Sequence, residues 1–346
     1  MPGKTLAIMG TGLVTPVGLT ASASCCAFRA KMTNPLETRF IDSAGAWIIA
    51  HQVDVGPGRS GLSKLCTMAC WAIEEALQFL DRRDWQHLPL LLCVAEADRP
   101  GRLVGLDDML LPQIQDELGT RFAAGSALVP HGRVAVAVAL AQARGLVNAG
   151  QVPGVLIVGV DSLISWPTLS HYEREDRLLT EANSDGFMPG EAAGALWIGA
   201  NSTETRQAPQ LLCTGIGFGR ERATIQGGGP FRADGLTQAI MACLDDAGRQ
   251  LHEFDFRITD NSGESFYFKE SSLALTRSMR QSKEAFDLWH PAECTGECGA
   301  ATGVTVIAES VDACGKGYAP GNRLLAHWAN DAGQRAAVTL EFGVVA

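Results

Sequence analysis

The segment Asp185–Gly194 reads Asp-Gly-Phe-Met-Pro-Gly-Glu-Ala-Ala-Gly and is the most specific pattern in the chain. It follows Leu178 and Leu179 and leads directly into an apolar strand. Its glycines predict a tight loop, because glycine tolerates backbone conformations that other residues avoid. Glu191 is the segment's one glutamate, and we expect it to hold the loop by accepting hydrogen bonds from backbone amides, not to act as an acid.

Strands and helices alternate on the N-terminal side of this loop. Apolar residues recur at helical spacing from Leu62 to Leu80, which predicts a helix facing the core. Residues Val134–Val147 are nearly apolar all round, as expected of a helix buried on every side. Leu90–Ala95 and Val155–Val160 are short apolar runs that predict buried strands.

The C-terminal part of the chain repeats this order. Leu211–Gly217 predicts a strand entering a glycine turn, as Thr5–Gly18 does at the start, and apolar residues at helical spacing follow it. Later segments predict a small-residue helix over Gly303–Val311 and a last strand over Ala336–Phe342. The polar stretch Asn201–Gln207 separates the two passes. We therefore expect α/β layers with internal pseudo-symmetry, divided into residues 1–200 and 208–346.

Composition limits the function. The 346 residues carry a net charge of -10, which disfavours nucleic acid as a partner. No apolar run reaches the roughly 20 residues that span a bilayer, so we expect no membrane contact and a cytoplasmic protein. Pro16 and Gly18 interrupt the dinucleotide-loop pattern of Gly10 and Gly12. Cys294 and Cys298, after His290, lack a usual zinc spacing, so the sequence predicts neither a cofactor nor a metal.

Four segments, in the same order as in the family, resemble the β-ketoacyl-acyl-carrier-protein synthases. They are Gly10–Gly18, Gly159–Ser162, the loop Asp185–Gly194 and the turn Gly299–Ala301. The resemblance covers most of the chain and implies a thiolase-type fold with five layers, αβαβα, built from two duplicated halves. It also implies a homodimer across an edge strand. We expect Val155–Val160 at that edge, because so apolar a strand would aggregate if left unpaired.

The positions that perform condensation in that family differ in this chain. The family uses a cysteine thiolate at a helix N-terminus, and its Thr-Ala-Cys falls on His131-Gly132-Arg133, which puts Arg133 in the cysteine's place. No cysteine lies between Cys93 and Cys213. A guanidinium stays protonated and cannot serve as the nucleophile. The resemblance therefore includes the fold but not the nucleophile.

The two histidine positions of the family are also vacated. The first motif matches Asp260–Glu264, with Asp260 in the histidine's place, and the second falls on Thr295–Cys298, with Gly296 in its place. A gatekeeping loop of the family, Phe-Gly-Phe-Gly-Gly, is replaced by Trp328–Gly333. We therefore assign no catalytic residue from the sequence.

Two interpretations of the vacated site stay open. A buried arginine needs a carboxylate, so Arg133 is expected to pair with Asp260, Glu264 or Glu297 and fill the site. Alternatively, His131 could serve as a base beside one of these carboxylates. The candidate pocket residues are thus His131, Glu264 and Glu297.

These interpretations lead to two functions. The first is a catalytically inactive ketosynthase-like partner, adaptor or scaffold in fatty acid or polyketide biosynthesis. Chain-length-factor subunits of aromatic polyketide synthases, which lack the cysteine and pair with an active subunit, are the family precedent. The expected partners are a second copy or a related ketosynthase-like subunit, and further an acyl carrier protein or a secretion-system protein. The alternative is an acyl-thioester enzyme, an acyltransferase, decarboxylase or hydrolase, with a non-standard active site.

Overall fold

A ten-stranded sheet runs through the computed structural model, which describes residues 5–200 and 209–343. The strands of these residues are β1 (Leu6–Val14), β2 (Pro35–Ile41), β3 (Trp47–His51), β4 (Leu90–Cys93), β5 (Ala127–Val129), β6 (Gly154–Ser162), β7 (Glu191–Ala200), β8 (Gln210–Arg220), β9 (Phe256–Thr259), β10 (Leu288–Trp289), β11 (Arg323–Ala329) and β12 (Gln334–Gly343). The sheet order is β10-β9-β11-β12-β8-β1-β7-β6-β4-β5, while β2 and β3 form a separate hairpin.

Helices cover both faces of the sheet. The α-helices of the described residues are α1 (Ala21–Arg29), α2 (Gly61–Ala76), α3 (Leu110–Leu118), α4 (Ala135–Asn148), α5 (Trp166–Arg174), α6 (Asp234–Ala247), α7 (Ser265–Ser278), α8 (Ala292–Thr295) and α9 (Thr302–Gly315). None of them is long and apolar enough to cross a membrane.

The sheet order is symmetric about the contact between β1 and β8. On one side it runs β1-β7-β6-β4-β5, and on the other β8-β12-β11-β9-β10. Each strand on one side therefore has a counterpart at the same distance from the β1–β8 contact on the other side. The two sets meet in a short antiparallel register in which Leu6 lies opposite Cys213. We call the strands and helices up to residue 200 the first half, and those from residue 209 the second half. The stretch Asn201–Gln207, which we expected to separate them, lies outside the described residues.

Five layers result from this arrangement. Helices α2 and α3 pack on the outer face of the first half, and α6 and α7 on that of the second. Helices α4 and α9 lie between the halves and contact strands of both. Gly303 lets these two helices approach, because a Cβ there would lie 2.7 Å from the Cβ of Val136. The predicted αβαβα fold is confirmed.

Two predictions about the glycine-rich strands are corrected. We expected Gly10 and Gly12 in a turn, whereas β1 continues through both to Val14. A Cβ on either residue would collide with a backbone carbonyl of α2, at Ala76 or Ala72. These glycines therefore permit a helix to lie close against the strand, which is a second common reason for glycine within a strand. In β8 the glycines serve α6 in the same way.

The expected interface strand is also corrected. Val155–Val160 belongs to β6, which pairs with β4 on one side and with β7 on the other, so it lies inside the sheet. Its residues are apolar because helices bury both of its faces and neighbouring strands cover both of its edges. Within the described residues, the edge strands of the sheet are β5 and β10.

Candidate functional site

The site predicted from the sequence lies where the central helix α4 begins. A short turn, Gly132–Val134, leads into the helix, and Gly132 adopts a left-handed φ of +52°. The side chain of Arg133 projects from this turn and is buried, with 7% of the residue exposed. A cation at this end of a helix is opposed by the helix dipole and by desolvation, so it requires anionic partners.

Arg133 has three carboxylates around it. Its Nη2 donates to Oδ1 of Asp331 at 2.8 Å, and its Nη1 donates to Oε2 of Glu297 at 3.3 Å. Asp260 lies slightly farther away, at 3.9 Å from Nη1. The guanidinium also stacks over the ring of Tyr267, with 4.4 Å between its Cζ and the ring centroid. Of the three acids expected to pair with Arg133, the structure thus places Glu297 and Asp260 beside it.

A second arginine shares Asp331. Arg177, which follows α5, donates to Oδ2 of Asp331 at 2.6 Å and makes a bidentate pair with Glu264 at 2.7 and 2.8 Å. Tyr267 donates a further hydrogen bond to Asp331 at 2.5 Å. Burial opposes ionisation of Asp331, but the guanidiniums of Arg133 and Arg177 outweigh it and hold the pKa of this carboxyl well below its usual range.

The charged side chains form one connected group, which we call the Arg133 cluster. Its members are Arg133, Arg177, Asp260, Glu264, Glu297 and Asp331. Sequence reasoning missed two of them, Arg177 and Asp331. Asp331 lies in Trp328–Gly333, the segment that we expected in place of the family's gatekeeping loop, so this expected difference was a signal. Nothing in the local pattern around Arg177 pointed to the site.

Asp260 and Glu297, the two acids that we expected at the family's histidine motifs, are held by hydrogen bonds. Glu297 accepts from the Ser262 hydroxyl at 2.9 Å and from the backbone N–H of Gly299 at 2.9 Å. Burial raises the pKa of Glu297 to about 7, against the lowering effect of Arg133. Asp260 accepts from the backbone N–H of Ala329 at 2.9 Å, and burial raises its pKa as well. Burial therefore disfavours the ionised form of both acids.

Two candidate residues stand apart from the cluster. The ring Nδ1 of His131 forms its hydrogen bond with Gln334, at 3.3 Å, and with none of the carboxylates. Gly296 has a φ of +67°, and a Cβ there would lie 2.7 Å from the carbonyl oxygen of Met188. A side chain at Gly296 would therefore be strained and crowded. The structure brings together Arg133, Asp260, Glu264 and Glu297, but not His131.

The Arg133 cluster leaves almost no space at the start of α4. The remaining cavity measures about 30 Å³, and its lining includes Arg133, Arg177, Glu297 and Asp331. This volume has room for about two or three water molecules. A shallow depression of about 210 Å³ lies outside it and shares Asp331. The paired side chains of the cluster therefore occupy most of the space at this point of the fold.

Other polar groups near the segments that resemble the ketosynthase family have hydrogen-bond partners. Glu191 accepts hydrogen bonds from the backbone N–H of Val53 at 2.8 Å and from the Ser162 hydroxyl at 2.8 Å, and it pairs with Lys64. It therefore ties its loop to neighbouring segments through a backbone amide, a hydroxyl and an ammonium group. Cys298 donates to the carbonyl of Thr295, and among residues 5–200 and 209–343 it forms no group of potential metal ligands with His290.

The residues described contain one group of three potential metal ligands, elsewhere in the fold. Cys66 and Cys70 on α2 and Glu117 on α3 have ligand atoms within 4.8 Å of one another. Glu117 accepts a hydrogen bond from Cys66 at 3.5 Å and pairs with Arg59 at 3.2 Å. The Arg59 guanidinium already pairs with the carboxylate of Glu117, which makes this group a poor fit for a metal ion.

Comparison with known proteins supports the fold. No model of a known protein family matches the chain, and no curated protein matches it. The structure is similar to "The ishigamide ketosynthase/chain length factor", with a TM-score of 0.79, 18% identity, and coverage of 98% of this chain and 99% of that one.

Two further solved structures are similar over the same extent. A type II polyketide synthase acyl carrier protein in complex with its ketosynthase bound to the hexaketide gives a TM-score of 0.78 at 15% identity, with 98% and 99% coverage. A β-ketoacyl synthase from Burkholderia phymatum gives 0.75 at 12% identity, again with 98% and 99% coverage. The chain therefore has the thiolase-type fold of the ketosynthases and chain length factors.

Proposed function

We propose that this chain is a catalytically inactive, ketosynthase-like partner subunit. One observation carries the proposal. The space at the start of α4, where a ketosynthase would hold its acyl group, is filled by the Arg133 cluster down to about 30 Å³. Replacing a substrate cavity by buried, mutually paired charges removes the function of the cavity while retaining the surrounding fold.

The chemistry of the filled site agrees with the proposal. Acyl transfer through a covalent intermediate needs a nucleophile, and residues 131–138 contain neither a hydroxyl nor a thiol. Arg133 occupies the expected position and stays protonated. A malonyl carboxylate entering the site would also meet Asp260 and Glu297, where the family offers histidine donors.

The partner we propose is a ketosynthase-like subunit or a second copy of this chain. The similar structures include a ketosynthase/chain length factor and a complex between a ketosynthase and its acyl carrier protein. Strand β5 offers a place for pairing, because it is a sheet edge and ends three residues before Gly132. Exposed strand edges favour pairing with another strand.

The enzyme alternative receives less support. It requires an open pocket in which His131 acts beside a carboxylate, whereas His131 contacts Gln334. The group that best fits a rebuilt nucleophile is the Ser262 hydroxyl, because it lies 2.9 Å from Glu297, whose pKa is about 7. An acid near neutrality could accept a proton from that hydroxyl.

Intact-mass spectrometry tests the proposal. The purified chain is incubated with acyl coenzyme A and with acyl-loaded acyl carrier protein, and a competent ketosynthase serves as the positive control. We expect no added acyl mass on this chain. A stoichiometric adduct that is absent from the Ser262→Ala variant would refute the proposal and establish the enzyme alternative.

A further inference from the structure

A second cavity lies where α1, α8 and α9 come together. It measures about 400 Å³ and is bounded by the C-terminal end of α1, by α8 and by one face of α9. It shares no lining residue with the inner cavity at the start of α4. Its volume lies within the range of pockets that bind small molecules in proteins.

One residue lining this cavity carries a buried carboxyl oxygen without a hydrogen-bond partner. Glu309, on the central helix α9, lines the cavity and is only 7% exposed. Its Oε2 has no hydrogen-bond partner among the residues that the structure describes. An unpartnered buried acid is costly, and such groups call for a functional explanation.

The basic side chains that line this cavity with Glu309 have other partners. Lys31 donates to Glu293 at 2.6 Å, and His290 contacts the other oxygen of Glu293 at 2.8 Å. The guanidinium of Arg29 stacks over Tyr318, 4.6 Å from the ring centroid. The cations at the rim of the cavity therefore leave the carboxyl of Glu309 available.

The walls of the cavity are aromatic. Trp289 and Tyr318 lie nearly parallel, at an interplanar angle of 16° with 6.4 Å between ring centroids, and Phe28 is a further wall. Aromatic faces attract cations as well as hydrocarbon groups. The cavity thus combines an acceptor of positive charge with surfaces suited to an apolar body.

We propose that this cavity binds a small molecule that carries a protonated amine on an apolar body. The ammonium group pairs with Glu309, and the apolar part packs against Phe28 and Trp289. This site goes beyond the proposed function, because it lies apart from the Arg133 cluster and does not depend on whether that cluster is inactive.

Protonation of Glu309 gives the proposal a distinctive signature. Burial raises the pKa of this carboxyl to about 8, Lys31 lowers it, and Glu293 and Asp312 raise it. At pH 7 the empty cavity therefore holds a mostly neutral acid. An ammonium ligand requires the carboxylate, so its binding releases close to one proton, whereas a neutral ligand releases none.

Phenethylamine and its neutral counterpart 2-phenylethanol are suitable probes. Titration calorimetry at pH 7 in two buffers of different ionisation enthalpy measures affinity and proton release together. We expect phenethylamine to bind with a dissociation constant on the order of 1 mM. Its affinity should rise by nearly tenfold between pH 6 and pH 7 and level off above pH 8, since an alkylamine remains charged in this range.

Two variants separate the ammonium contact from the shape of the cavity. Glu309→Gln keeps the size of the side chain. It should weaken the affinity for phenethylamine at least tenfold and abolish proton release. The affinity for 2-phenylethanol should stay within twofold of its value for the native protein. Glu74→Gln, an exposed glutamate on α2, should change nothing. Equal binding of phenethylamine to the native protein and to Glu309→Gln would overturn the proposal. The proposal would also be overturned if 2-phenylethanol bound more tightly than phenethylamine at pH 8, or if neither probe bound.

Discussion

Arg133 and Asp331 join the start of α4 to the hairpin between β11 and β12 through a 2.8 Å hydrogen bond. The two residues are 198 positions apart and belong to different halves of the fold. Asp331 also pairs with Arg177, so two guanidiniums share one carboxylate.

Replacing Arg133 by alanine should destabilise the protein by about 3–5 kcal/mol, because the buried acids Glu297 and Asp260 would lose the cation that favours their ionised forms. The loss should shrink at low pH, where the stranded acids become protonated. Urea unfolding at several pH values measures it. Arg121→Ala, at an exposed ion pair with Asp116, is the control and should cost less than about 1 kcal/mol. A neutral effect of the Arg133 change at every pH would contradict the pairing.

The start of α9 should be intolerant of a side chain at Gly299. This glycine has a φ of +52°, and a Cβ would collide with the Asp161 carboxylate, which Arg99 holds at 2.6 Å. Gly150→Ala is the matched control, since its φ is +67° and nothing lies within 4 Å of its Cβ. We expect the control to cost about 1–2 kcal/mol from backbone strain alone.

Gly299→Ala should therefore cost more than this control by at least about 1 kcal/mol in thermal unfolding. Equal costs for the two variants would mean that Asp161 moves aside freely.

The stability of the protein should fall as pH rises, because of Glu309. Its carboxyl has an ordinary pKa of 4.5 when unfolded and about 8 when folded. Between these values the unfolded chain loses the proton first, so the contribution of this group is complete below pH 4.5 and is lost as pH rises to 8. The slope approaches 1.4 kcal/mol per pH unit, as an order of magnitude.

Glu309→Gln should remove this dependence. The difference in free energy of unfolding between the variant and the native protein isolates Glu309 from Glu297, whose pKa is also raised. A difference that stays constant from pH 5 to pH 9 would show that Glu309 ionises normally in the folded chain.

Subunit pairing should depend on strand β5. Ala127 is exposed in this edge strand, and Ala127→Asp would place like charges together if two copies pair there. Sedimentation should show association for the native chain and a shift to monomer for the variant. Ala124→Asp, in the loop before the strand, is the control and should associate normally. Association unchanged by Ala127→Asp would assign the contact to another surface.

The fold was predictable because its signals are local. Helical spacing located α2 and α4, and the loop Asp185–Gly194 fixed the order of the elements around it. The position of β6 was not predictable, since apolar residues indicate burial but do not distinguish an inner strand from an edge covered by a partner. Gly10 and Gly12 were ambiguous for a similar reason, because glycine serves turns and close helix packing alike.

The site was predicted in part. Arg133 and Asp260 were located from their positions relative to the family-like motifs. A buried arginine needs a counterion, which indicated that acids would lie nearby. The same requirement could not identify Arg177 or Asp331, since buried arginines and aspartates have no sequence pattern of their own. Their contact depends on two loops, 154 residues apart, that meet only in the folded chain.

Each ion pair of the Arg133 cluster connects a residue of the first half to a residue of the second. A protein made of two repeats can in principle melt one repeat at a time. Here, melting either repeat would leave the other with buried charges that have lost their counterions, which strongly disfavours a half-folded intermediate. The cluster therefore couples the repeats into a single cooperative unit, with equal calorimetric and van't Hoff enthalpies of unfolding.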